Sequence, residues 1–125
     1  MTFDLPWPPS VNHYWRRGPK GWYVAKEGKD FRTAVGWLVK GYKDARMPLT
    51  GRLSVVVHLY PPDKRKSDID NRCKALLDAL QAAGVYEDDC QIDRLTIERF
   101  ERQEGGKCVV VISDMDKRSI GLDIV

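Results

Sequence analysis

A chain of 125 residues with a formal charge of +3 is long enough for one hydrophobic core and is read as a single domain over residues 1–125, small enough that a cleft-forming function often needs a second subunit. It holds no apolar run of about 18 residues and no N-terminal signal pattern, opening instead Met1-Thr2-Phe3-Asp4-Leu5-Pro6; the expectation is a soluble, cytoplasmic protein with no membrane partner. Cys73, Cys90 and Cys108 are an odd number without a C-x-x-C pair, which argues against a disulfide frame or a zinc site and for reduced, packed thiols.

Phe3 and Leu5 alternate into a short strand that Pro6, Pro8 and Pro9 end, since each proline removes a ladder donor and fixes φ. From Trp7 to Arg17 an extended arm interleaves aromatics with basic and amide side chains, as in surfaces that stack on bases or lie beneath a phosphate backbone; Trp7 and Tyr14 would serve equally well as core anchors. Gly18-Pro19-Lys20-Gly21 is a turn and Trp22-Tyr23-Val24 a short strand. Between Lys26 and Ala45, Phe31, Ala34, Val35, Leu38, Tyr42 and Ala45 recur at steps of three and four, predicting an amphipathic helix that Gly28, Gly36 and Gly41 weaken. Leu53, Val55, Val57 and Leu59 alternate with Arg52, Ser54, Val56 and His58 in a half-buried strand stopped by Pro61-Pro62. A second helix is predicted from about Asn71 to Ala83, burying Leu76, Leu77 and Leu80 and ending at Gly84. Ile92 to Phe100 and Lys107 to Ile112 read as two strands joined by a hairpin turn over Gln103-Glu104-Gly105-Gly106. The tail from Asp114 onward has no strong period. The expected architecture is α+β, two helices packed on a mixed or antiparallel sheet of four to five strands.

The stretch Ser67-Asp68-Ile69-Asp70-Asn71-Arg72-Cys73-Lys74 concentrates the chemistry. On an extended approach Asp68 and Asp70 point to the same side, and Asp70 and Lys74, four apart, share a helix face. Asp70 or Asn71 could cap the helix, yet capping needs one Asx residue, and clustered carboxylates repel unless a cation relieves them. With Asp88-Asp89 beyond the helix, the hard oxygen donors suit Mg²⁺ or Mn²⁺ better than zinc. An EF-hand is excluded: its sixth position would be Cys73 instead of Gly and its twelfth Ala79 instead of Glu. Two basic patches, Arg16, Arg17 and Lys20 and then Lys64, Arg65 and Lys66, suggest a bound polyanion; Asn12 and Asn71 join them as candidate DNA contacts.

Pro6-Trp7-Pro8-Pro9-Ser10-Val11-Asn12, Asp68-Ile69-Asp70-Asn71 with Lys74, Asp78-Ala79-Leu80 with Ala83-Gly84-Val85, and Asp88-Asp89 with Gln91-Ile92 resemble, in order and spacing, the RusA-type crossover junction endodeoxyribonucleases, over nearly the whole chain up to about Ile112. That resemblance implies a RusA-like fold, Mg²⁺-dependent cleavage (with Mn²⁺ able to substitute) of four-way (Holliday) junctions by paired symmetric nicks in DNA recombination and repair, and a homodimer. Asp68, Asp70 and Asp89 would be the catalytic metal ligands and Lys74 the essential basic residue. Where the family often has a basic residue before its first aspartate, this chain has Ser67, with Lys66 one step back.

A predicted helix of about 13 residues is roughly 20 Å long, and the few residues after it span at most about 3.3 to 3.6 Å each. Either the loop Val85-Tyr86-Glu87-Asp88 turns back along the helix at once, or a partner subunit supplies Asp89. Alternatives are a nuclease for other branched DNA, such as flaps and forks, and a non-catalytic nucleic-acid-binding module.

Overall fold

The computed structural model describes residues 1–42, 44–66 and 68–115; the readings made for Ser67 and for the tail beyond position 115 lie outside them. In chain order the elements are β1 (Thr2–Pro6), α1 (Val11–Tyr14), β2 (Trp15–Gly18), β3 (Gly21–Val24), α2 (Lys26–Tyr42), β4 (Leu53–Tyr60), α3 (Cys73–Ala82), β5 (Ile92–Arg99) and β6 (Lys107–Asp114), with 3-10 turns at Ile69–Arg72 and Asp89–Gln91. Two main helices on a mixed four-stranded sheet, with a separate two-stranded ribbon, make the expected α+β arrangement.

The sheet runs β1-β6-β4-β5. β4 pairs antiparallel with β6, Val57 opposite Val110, and parallel with β5, Val57 opposite Ile97. The anticipated β5–β6 hairpin is therefore a correction. Phe100 donates to the Leu59 carbonyl and Gln103 to that of Pro61, so the connection is drawn across the end of β4 and delivers β6 to its other side. The glycine turn exists, with Gly105 and Gly106 at positive φ, but it redirects the chain between non-neighbouring strands.

Strand alternation puts Leu53, Val55, Val57 and Leu59, Cys108, Val110 and Ile112, and Phe3 and Leu5 on one buried face, which α2 covers with Phe31, Val35 and Val39 and α3 with Ala75, Leu76, Ala79 and Leu80. Each valine, leucine, isoleucine or phenylalanine among them contributes roughly 1.5–3 kcal/mol when fully buried. The buried stripe of α2 is not the one expected, because Leu38 and Tyr42 are 48% and 40% exposed. Gly28 begins the real stripe: a Cβ there would stand 2.9 Å from the Tyr14 carbonyl oxygen and 2.7 Å from Val24 Cγ1. α2 closes on α1 only because that position has no side chain. Gly28→Ala is expected to lower stability by about 1–3 kcal/mol through overpacking, whereas Gly36→Ala, whose Cβ meets nothing within 4 Å, is expected to raise it by up to about 1 kcal/mol; paired thermal melts would read both. The helix also stops short of Ala45, because the Asp44 side chain accepts from the Arg46 N–H at 2.9 Å and turns the backbone away.

A polar knot fastens the three helices. The Tyr14 hydroxyl donates to Asp78 Oδ2, and Arg32 donates from Nε to Tyr14 at 2.6 Å and from Nη2 to Asp78 at 2.5 Å. Tyr14, fully buried, is a core anchor. At the far end of α3, Gly84 at φ +84, with Gly84 donating to the Gln81 carbonyl and Val85 to that of Leu80, closes a Schellman motif.

Burial, and for Tyr14 also the bond to Asp78, pushes the Tyr14 and Tyr86 hydroxyls above the ordinary tyrosine range. Burial pushes the Cys73 thiol up to about 11 and the Cys108 thiol up to about 12. The unfolded chain ionises these groups first and so binds fewer protons than the folded one, and stability falls as pH rises. The urea midpoint is expected to decline steadily above about pH 9, first through the thiols and then through the tyrosines; a midpoint constant to pH 11 would mean that these groups are not buried.

Candidate active site

β4 ends at Tyr60, and the loop after it descends through Asp63 and Lys66 to the 3-10 turn that leads into α3. Asp68 sits at the head of that turn in extended conformation, φ −77° and ψ 139°, and its side chain makes no capping hydrogen bond; nor does Arg72, which occupies the cap position of α3. Neither the Asp68 nor the Asp70 carboxylate has a hydrogen-bond or ion-pair partner among the described residues, and with Arg72 at the cap position of α3 neither the Asp70 nor the Asn71 side chain fills the capping role considered for it. Both carboxylates open into one surface cleft of about 610 Å³ lined by Lys66, Asp68, Ile69, Asp70 and Arg99. The two carboxylates are exposed side by side in a cleft that also holds Lys66 and Arg99, and neighbouring anions repel unless positive charge lies close to both.

Lys74 lies exposed on the first turn of α3 but does not line that cleft. The expected shared face assumed α-helical spacing. From Ile69 to Arg72 the backbone is 3-10, and at 3.0 residues per turn the four-residue step from Asp70 overshoots by up to a third of a turn.

Asp89 is placed elsewhere. Its N–H is held by Gln81 Oε1 at 3.0 Å, in the last turn of α3, whereas Asp70 precedes the first; ten residues of α-helix put about 15 Å between those ends. Two oxygens on one Mg²⁺ lie within about 4 Å of each other, since each bond is about 2.1 Å. Among the described residues no group of three His, Cys, Asp or Glu side chains is arranged to hold a metal ion. The loop does turn back in part, with the Tyr86 hydroxyl donating to the Leu77 carbonyl at 2.5 Å, but not far enough to bring Asp89 to Asp70.

The two acids of Asp88-Asp89 have separate jobs. Asp88 caps the second 3-10 turn, accepting from the Cys90 N–H at 2.9 Å, and the backbone N–H of Cys90, followed by its thiol, holds the Asp88 carboxyl below the usual carboxylate range. Gln91 completes the box, its Oε1 accepting from the Glu87 and Asp88 N–H groups while Nε2 donates to the Leu49 and Gly51 carbonyls at 3.0 Å. Asp89 is left with its carboxylate free of capping duty on a fixed turn. Gln91 as a positioning residue was overlooked, although Asp88-x-x-Gln91 has capping-box spacing. Arg99 was overlooked too, and nothing in a strand-terminal arginine marks it.

Of the candidate DNA contacts, Asn12, Arg16, Arg17, Lys20, Lys64, Arg65 and Lys66 are all exposed, and Asn71 is half-buried in the 3-10 turn. Arg16, Arg17 and Lys20 belong to a ribbon, since Trp15–Gly18 forms a strand paired with β3, Arg17 opposite Trp22. Arg65 is engaged by Asp63. The expectation of packed thiols holds for Cys73 and Cys108 and fails for Cys90, which is exposed; all three are free.

Paired exposed carboxylates beside Lys66 and Arg99 are a donor set that suits metal-assisted hydrolysis of an anionic substrate, a chemistry that requires no protein nucleophile. The family model of endodeoxyribonuclease RusA matches residues 6–113. Curated relatives named crossover junction endodeoxyribonuclease RusA include one from Enterobacteria phage HK97, 36% identical over 91% of this chain and 94% of the relative, one from Enterobacteria phage 82, 33% identical over 89% and 92%, and one from Escherichia coli K12, 33% identical over 91% and 94%. The chain belongs to the RusA endodeoxyribonuclease family, and it is a nuclease.

Proposed function

We propose that this nuclease cuts four-way DNA junctions by paired nicks, with Mg²⁺ (Mn²⁺ substituting) as cofactor and as a homodimer, in recombination and repair. The observation that carries the reading is the pair of unpartnered carboxylates, Asp68 and Asp70, in one open cleft against a basic loop. Two hard oxygen donors are what Mg²⁺ takes from a protein, its remaining positions going to water and substrate phosphate. Held there, the ion would supply Lewis acidity and charge neutralisation at the scissile phosphate. Lys64 and Lys66 draw the strand toward the two carboxylates, and Lys74, at the head of α3, offsets charge on the phosphate as the ester bond breaks. A water oxygen forms the new bond to phosphorus, and the leaving strand oxygen takes a proton from solvent.

The homodimer rests on Asp89. β5 is an edge strand of the sheet, with Leu95 in its middle 42% exposed. It starts just after Asp89 and ends at Arg99, in the carboxylate cleft. Antiparallel addition of the same strand from a second copy, about a two-fold axis, sets the start of one β5 beside the end of the other. The partner subunit's Asp89 then approaches Asp68 and Asp70, and the two sites face opposing strands of a two-fold substrate.

The test is cleavage of a synthetic four-way junction with Mg²⁺ or with EDTA, beside forked and flapped duplexes. Paired cutting of the junction only with the metal is expected. Equal cutting of forks and flaps would move the substrate to branched DNA in general, and no cutting of any of them would overturn the reading.

A further inference from the structure

Next to the carboxylate cleft lies a cation that forms no ion pair among the described residues. Arg72, the last residue of the 3-10 turn, places its guanidinium over the Trp7 indole, 4.9 Å from the ring centroid, and donates from Nη1 to the Pro8 carbonyl at 2.7 Å. Its Nε is shut off from solvent and has no hydrogen-bond partner among the described residues, a loss that a buried donor normally avoids. The side chain lines a cavity of about 370 Å³ walled by Trp7, Pro61 and Pro62 and rimmed by His13, Arg65 and Lys66. The carboxylate in that cavity, Asp63, is occupied: it accepts from the Arg65 N–H at 2.9 Å, from Nε at 3.0 Å and from Nη2 at 2.8 Å. Glu27 and Asp30 belong to a neighbouring hollow that also includes Trp7, His13 and Arg72, and neither forms an ion pair with Arg72 among the described residues. Lys66 and Arg72 therefore give the cavity a positive balance.

We propose that this cavity is a phosphodiester subsite, in which Arg72, held flat by Trp7, and Lys66 seat a backbone phosphate of the DNA strand beside the one being cut. The inference rests on the nuclease reading above and adds a second phosphate position to it. Lys66 lines this cavity and the Asp68–Asp70 cleft alike, so the two adjoin at that side chain, and a strand whose scissile phosphate lies at the carboxylates has its next phosphates within reach of it. Arginine suits the task because its planar fork meets two phosphate oxygens at once, and the indole beneath fixes the plane of that fork before DNA arrives.

Two measurements test it on the full chain in EDTA, where cleavage is off. Titration of the ¹⁵N-labelled protein with a single-stranded oligothymidylate is expected to shift the Arg72 Nε–H and Trp7 indole N–H resonances together. Arg72→Gln, which keeps a donor for the Pro8 carbonyl, is expected to weaken four-way junction binding about tenfold and to lower the slope of log affinity against log salt by about one, with Arg72→Lys recovering the slope but not the full affinity. If Arg72→Gln fails to fold, the titration of the wild-type protein decides alone. Unmoved Arg72 and Trp7 resonances under saturating DNA, or a salt slope and junction affinity unchanged in a folded Arg72→Gln, would overturn the subsite and leave the nuclease reading standing. Failure of the wild-type protein to bind junctions at all would overturn both.

Discussion

Asp70→Asn is expected to leave the protein folded and able to bind four-way junctions while lowering Mg²⁺-dependent cleavage by about a thousandfold. The side chain is exposed and has no partner among the described residues, so an isosteric amide disturbs no packing, and the unfolding midpoint should stay within experimental scatter of the wild type. What changes is charge. A hard cation draws its affinity from anionic oxygen, and losing several kcal/mol of transition-state stabilisation is worth about three powers of ten in rate. Junction affinity in the absence of metal should hold or rise, because one negative charge no longer faces the phosphates. Single-turnover cleavage and gel-shift titration on one preparation would read both quantities. Wild-type cleavage by Asp70→Asn would remove Asp70 from the reaction.

A second large effect is expected when two inactive variants are mixed. If each site takes Asp68 and Asp70 from one protomer and Asp89 from its partner, neither Asp70→Asn nor Asp89→Asn homodimers cut. A heterodimer of the two, however, combines an intact Asp70 on one protomer with an intact Asp89 on the other in one of its sites, leaving both substitutions in the second. Mixing after subunit exchange should thus restore nicking of one strand from near zero to a sizeable fraction of the wild-type rate, without paired cutting. A site assembled within one protomer predicts no recovery at any ratio, because each half of the heterodimer then carries one defect. The outcome distinguishes a loop that closes on its own helix from one that reaches across a two-fold axis.

Periodicity made the sheet and helices legible where one face is buried. Leu53, Val55, Val57 and Leu59 recur at every second position, and they emerged as the buried face of β4. It was weaker for α2, where apolar residues occupy too many positions to single out a stripe: Trp37 and Leu38 look as buryable as Val35 and Val39, and the choice among them is made by Gly28 against Tyr14, a contact between elements that a one-dimensional pattern does not contain. β2 was hidden because Arg16 and Arg17 are polar on both faces of a two-stranded ribbon that buries little. The partner of β6 was hidden for a different reason, since a glycine turn between two strands looks alike whether they pair with each other or straddle a third.

Within the site, Asp68 and Asp70 were legible because three Asx residues in four positions exceed what a cap needs. The offset of Lys74 was not, as it depends on a 3-10 turn in place of an α-helical one. The distance to Asp89 was legible from helix length alone, which is why the choice between a loop that turns back and a second protomer could be posed from the letters.

The strand order bears on how the chain comes to fold as it is made. The hydrogen-bonded neighbour of β1 in the sheet is β6, with Phe3 opposite Val110, so the first strand synthesised has nothing to pair with until nearly the last has left the ribosome. Until then the apolar residues of β1 and one side of β4 stay open, and assembly waits for contacts of long sequence separation that close slowly. The sheet therefore cannot be completed on a nascent chain that stops short of β6, and the cleft that α3 and β5 shape between them becomes steady only after synthesis has passed Asp114.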